Sequence, residues 1–118
     1  MRARKIDYAQ VPWKPIADGR IKYKPVKMDD FGTSEVAFTK GVNEPAHSHP
    51  EGQIVFCLSG RIEFRLTEGG EEHRETLMPG DMLAIPAGVV HGAHAIDETR
   101  LYVCWSPMRR FDADAVIV

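Results

Sequence analysis

Residues 41–60 read GVNEPAHSHPEGQIVFCLSG. Two histidines, His47 and His49, stand one residue apart just ahead of an apolar run that stops at Ser59-Gly60. In an extended strand residues i and i+2 project to the same side, so both imidazoles enter one space, and Gln53 shares the parity of His49. Pro50 and Gly52 interrupt strict alternation, so the convergence of these side chains needs a barrel around them. The run QIVFCL followed by Ser-Gly reads as a fully buried strand and a turn.

Outward from this stretch the pattern keeps a period of two. TSEVAFTKG places Val36 and Phe38 on one face, and RIEFRL at 61–66 sets Ile62, Phe64 and Leu66 against Arg61, Glu63 and Arg65. Both are half-buried strands. TEGGEE at 67–72 is a hairpin tip, HRETLM resumes the strand, Pro79-Gly80-Asp81 turns, and MLAIP and RLYVCW supply two more strands. IKYKPVKM at 21–28 contains Pro25, which suits an edge strand. No stretch of a dozen residues has helical periodicity with caps. Roughly six to nine short strands at about 8–12 residue spacing predict a sandwich or barrel.

The chain has 118 residues, enough for one core, and it divides into an N-terminal arm at 1–20 and a single barrel domain at 21–118. Trp13 in the arm packs over the barrel or reaches a partner subunit. A formal charge of −2 argues against a nucleic-acid partner, and no apolar run is long enough for a signal peptide or a membrane span. Cys57 and Cys104 sit in apolar stretches and read as buried thiols of a cytoplasmic protein.

A second segment, GDMLAIPAGVVHGAHA at 80–95, adds His91. The spacing Gly41, His47, His49, Gln53, Gly60 resembles the first cupin motif, with Gln53 where the family usually has Glu. Gly80, Pro86, Gly88, His91 resembles the second, with Ala95 in place of its common Asn. The resemblance implies an all-β, double-stranded β-helix, a jelly-roll-like barrel whose interior holds a metal. His47, His49, Gln53 and His91 are the implied ligands of one divalent transition metal, which Fe, Mn, Ni, Co, Cu or Zn would satisfy. Gln53 in place of a carboxylate leaves the site one charge more positive, which favours Lewis acidity and an anionic ligand. Glu51 is a rival fourth ligand and fits the family spacing less well; a barrel merely filled by histidines is the bland alternative. His94 has the opposite parity to His91 and points away; His73 lies in a charged hairpin.

WSPMRRF at 105–111, taken with both histidine segments, is similar to the pectin-degradation cupins that open 4,5-unsaturated uronates. By position Arg109 matches that family's sugar-handling arginine and Trp105 its aromatic, while Val103 stands where the family has an acid. The resemblance therefore implies a metal-dependent isomerase or lyase-like enzyme acting on an anionic small molecule, and a homodimer. A cupin dioxygenase and a non-enzymatic small-molecule sensor are the alternatives.

Overall fold

The computed structural model of the chain describes residues 3–106 and 116–117. Among the described residues eleven strands form two sheets: β1 (Lys14–Ile16), β2 (Ile21–Met28), β3 (Phe31–Phe38), β4 (Asn43–His47), β5 (Gly52–Ser59), β6 (Ile62–Glu68), β7 (Glu71–Leu77), β8 (Met82–Ile85), β9 (Val90–Ala95), β10 (Thr99–Ser106) and β11 (Val116–Ile117). One sheet runs β1-β2-β3-β10-β5-β8, with β11 added parallel to β2; the other runs β4-β9-β6-β7. The all-β barrel expected from the sequence is present. Its strands outnumber the expected six to nine because β1 and β11 are three- and two-residue additions along β2.

The turns explain the glycines. Gly69 and Gly70 take φ of 58° and 81° between β6 and β7, the left-handed pair that a tight two-residue hairpin needs. Gly60 is more constrained: φ is +83°, and a Cβ there would lie 2.1 Å from the Glu98 carbonyl oxygen and 2.7 Å from Thr99 Cα. The core between the sheets gathers Val55, Cys57, Ile62, Phe64, Leu101, Val103 and Trp105. Both cysteines are free, Cys57 fully buried and Cys104 partly so.

Two expectations change. QIVFCL is not buried on both faces: Val55 and Cys57 point into the core, but Ile54 and Leu58 are 49% and 44% exposed on the outer face of the large sheet. Apolar content without alternation signalled burial, yet no part of the described chain covers that face. β2 is not a bare edge either, because β1 and β11 flank it at separate places. Lys24 N–H donates to Ser34 Oγ on the β3 side, so the nitrogen of Pro25 faces the opposite flank, in the gap between the two short strands.

The arm packs on its own chain. The Lys24 ammonium, on a buried side chain, donates to Tyr8 O at 3.0 Å and lies 3.7 Å from the Tyr8 ring centroid and 5.3 Å from that of Trp13. Tyr8 Oη donates to Glu35 Oε1, and Arg100 pairs with Glu35 Oε2, each at 2.7 Å. Trp13 therefore lies on the barrel, as the first of the two alternatives had it.

Candidate metal centre

His47 closes β4, and His91 faces it across the β4–β9 ladder as its Cα partner. His49 lies beyond the end of β4, in the loop before β5, so strand alternation is not what aligns it with His47. A turn does that instead: Gly88 N–H donates to His49 O at 2.9 Å, clamping the first histidine loop to the Pro-Ala-Gly turn that precedes His91. The ring centroids of His47 and His91 are 4.3 Å apart, those of His49 and His91 5.0 Å, and those of His47 and His49 5.6 Å.

The three rings share one hydrogen-bond pattern. His47 Nδ1 meets Pro45 O at 3.0 Å, His49 Nδ1 meets Glu51 O at 2.8 Å, and His91 Nδ1 meets Val89 O at 2.9 Å. A carbonyl oxygen only accepts, so each Nδ1 carries the proton and each Nε2 presents a lone pair. That is the tautomer a metal requires, with the second nitrogen of each ring held by the backbone. One ligand atom from each of the three lies within 4.8 Å of the others, a grouping that could hold one metal ion. The donor set fits a borderline divalent ion with positions left for water or substrate.

Gln53 and Trp105 are Cα partners across β5 and β10, and Trp105 Nε1 donates to Gln53 Oε1 at 3.0 Å. An indole N–H only donates, so the amide oxygen is identified and keeps its second lone pair. Gln53 lines a partly open cavity of about 60 Å³ together with His47 and His91. Val103 and Trp105 share the interior face, as alternation predicts, and both line this cavity. Trp105 serves the core as well, being buried among its apolar residues. Arg109 falls outside the described residues. Glu51, the rival fourth ligand, is buried but does not join the histidine group, and its backbone carbonyl holds His49. His94 is outside the histidine group and pairs with Asn43 Oδ1 at 2.8 Å; His73 is 3.6 Å from Glu68 on the hairpin.

Glu44 and Tyr23 also line the cavity, and the sequence reading passed over both. Glu44 is three residues before His47, which in a regular strand puts it on the opposite face. The β4–β9 register shifts between them: Glu44 opposes Ala93 and His47 opposes His91, so three steps on β4 match two on β9. This bulge at Pro45-Ala46 returns Glu44 to the inner face, and a proline inside a strand is the one signal that marks it.

Among solved structures the chain is similar to KdgF from Halomonas sp., at 27% identity over 94% of this chain and 98% of that one, with a TM-score of 0.76. An RmlC-like cupin from Shewanella frigidimarina matches at 20% identity, covering 94% and 96%, with a TM-score of 0.78, a likeness of fold. Among curated proteins, 73 residues are 36% identical to the dimethylsulfoniopropionate lyase DddQ of Ruegeria pomeroyi; they make up 62% of this chain and only 35% of that protein. The cupin-domain family model matches residues 34–107, the span that carries all three histidines and both motif turns. On the barrel, the motif spacing and that match together, the chain belongs to the cupin family, as a small cupin resembling the pectin-degradation protein KdgF.

Proposed function

We propose that this cupin is a metal-dependent enzyme of isomerase or lyase type, performing non-redox chemistry on a small carboxylated molecule, with a 4,5-unsaturated uronate as the leading substrate. The observation that supports it most is the close trio of imidazoles whose Nδ1 atoms are all held by backbone carbonyls. His47, His49 and His91 hold the ion, with Gln53 Oε1 as the fourth ligand. When bound, the ion supplies Lewis-acid polarisation of a substrate oxygen. Trp105 forms an apolar wall behind the substrate, and Arg109 pairs with its carboxylate. The cavity of about 60 Å³ has room for about two waters at roughly 30 Å³ each, so it takes the reacting end of one small acid.

The wall around Phe38, Phe64, Leu101 and Val103 favours a second reading. A polyhydroxylated ring gains little from such a wall, whereas a short aliphatic acid with a leaving group two carbons from its carboxylate suits it, in line with the likeness to the Ruegeria lyase. The test is metal analysis on protein purified without chelator or histidine tag, followed by anaerobic turnover of one substrate of each kind. We expect one transition ion per chain, lost in His47→Ala and His91→Ala, and turnover without oxygen. Full occupancy in the double variant refutes the ligand set; oxygen consumption tied to turnover replaces the reading with a dioxygenase; binding without turnover replaces it with a sensor.

The same reading includes a cytoplasmic homodimer. Free thiols suit a reducing compartment, and no helix among the described residues is long and apolar enough to cross a membrane. A second copy would cover the outer stripe of Ile54, Phe56, Leu58 and Met82 on β5 and β8. Light scattering on Ile54→Lys should then report a monomer; a monomeric wild type refutes the dimer.

A further inference from the structure

Rearranging a carboxylated substrate without redox change requires a group that moves a proton, and none of the three histidines is free for that task while it holds a metal. Around the cavity the other ionisable side chains among the described residues are Glu44 and Tyr23, and Glu44 is the one carboxylate. Three features of the backbone aim it there. The bulge between Glu44 and His47 turns both side chains inward. Arg65 donates from a guanidinium nitrogen to Glu44 O at 3.2 Å, bracing the bulged backbone from the neighbouring strand β6. Gly92 leaves the passage for that brace, since a Cβ there would lie 2.7 Å from the Arg65 nitrogen and 2.9 Å from Glu44 O. The carboxylate does not join the close group formed by the three histidines, so it stands beside the metal position without being a fourth member of the cluster.

We infer that Glu44 is the proton-transfer residue of this site, on the small sheet across the barrel from Val103. The inference rests on the uronate reading above. Glu44 gives its carboxyl proton to C4 of the unsaturated uronate, and the C4=C5 π pair becomes the new C4–H bond. The oxygen of a water bonds to C5, and that water's proton returns to Glu44, which ends the step as it began. The resulting hemiketal opens as its C5 hydroxyl loses a proton and the bond from C5 to the ring oxygen breaks, the ring oxygen taking up a proton. The product is a C5 ketone, and no oxidant or reductant is consumed.

The experiment compares wild type, Glu44→Gln, Glu44→Asp and Tyr23→Phe as metal-loaded full-length protein. It measures metal content, binding of a saturated uronate, kcat/KM on the unsaturated monouronate, and the stereochemistry of deuterium at C4 of product made in D2O. We expect Glu44→Gln to keep its metal and its saturated-uronate affinity while kcat/KM falls by about 10²–10⁴-fold, the range for general acid–base catalysis. Its residual product should carry deuterium on both faces of C4, where wild type labels one face. Glu44→Asp should recover part of the rate. Turnover within about threefold of wild type in Glu44→Gln overturns the inference and leaves the uronate reading standing, as does a loss confined to Tyr23→Phe. Loss of metal in Glu44→Gln overturns it in favour of a ligand role. A wild type inert toward the uronate refutes the substrate reading and, with it, this step.

Discussion

Replacing Gly60 by alanine tests whether the last glycine of the first motif is required by space as well as by conformation. Its φ of +83° alone costs an L-residue about 1–2 kcal/mol. The new Cβ would also meet Glu98 O at 2.1 Å and Thr99 Cα and Oγ1 at 2.7 Å, distances at which backbone must move. Thr99 is buried and its hydroxyl donates to Arg61 O or Asp97 O, at 3.1 and 2.8 Å, and accepts from Arg61 N–H at 3.2 Å; displacing it loosens this knot at the start of β10. At about 0.5–1.5 kcal/mol for each bond weakened, the whole substitution should cost about 3–6 kcal/mol. That is a large share of the roughly 5–15 kcal/mol that holds a typical domain folded. Gly69→Ala is the internal control: φ is +58° and nothing lies within 4 Å of its Cβ, so only the conformational part, about 1–2 kcal/mol, should appear. Urea unfolding followed by fluorescence gives both values, with the slope m unchanged if the denatured state is unaltered. A Gly60→Ala loss within about 1 kcal/mol of the Gly69→Ala loss would refute the steric argument.

Val103 faces the cavity, so Val103→Asp places a second carboxylate there; we expect it to raise the rate of uronate opening above wild type at equal metal occupancy, and an unchanged or lower rate would show that this position does not address the substrate. Tyr8 is held well above the usual phenol range, chiefly by partial burial and then by its hydrogen bond to Glu35. A raised folded-state value favours the neutral form, so its contribution is complete below about pH 10, the ordinary phenol value, and fades as pH rises beyond it. Spectrophotometric titration should lose its highest-pH tyrosine transition in Tyr8→Phe, and retention of that transition would place it on Tyr23 or Tyr102. Burial and then the charge of Asp81 push the Cys57 thiol up, against a smaller opposing pull from a backbone hydrogen bond with Ser59. Native protein treated with iodoacetamide near pH 8 should therefore be alkylated at Cys104 well before Cys57, as read by peptide mass spectrometry.

Much of this site was legible in the sequence because its signals are local. The two histidine segments with their glycine and proline turns pointed to His47, His49 and His91, and the structure groups those three side chains. Alternation along β10 put Val103 and Trp105 on one face, which the structure turns inward, and Gly69-Gly70 marked the hairpin. Other features depend on how distant segments meet. Alternation counted from His47 sends Glu44 outward; only the register of β4 against β9 reveals the bulge that turns it in. His49 reaches the others through a turn clamped by Gly88, not through strand parity. Nothing in QIVFCL says that one of its apolar faces lies outside the described chain, because exposure is set by what packs against a strand. Lys24 is buried because Tyr8 and Trp13, from the N-terminal arm, close over it. A strand's period states which residues share a face; which face is inside, and where a bulge reverses the count, is decided by the partners that tertiary folding supplies.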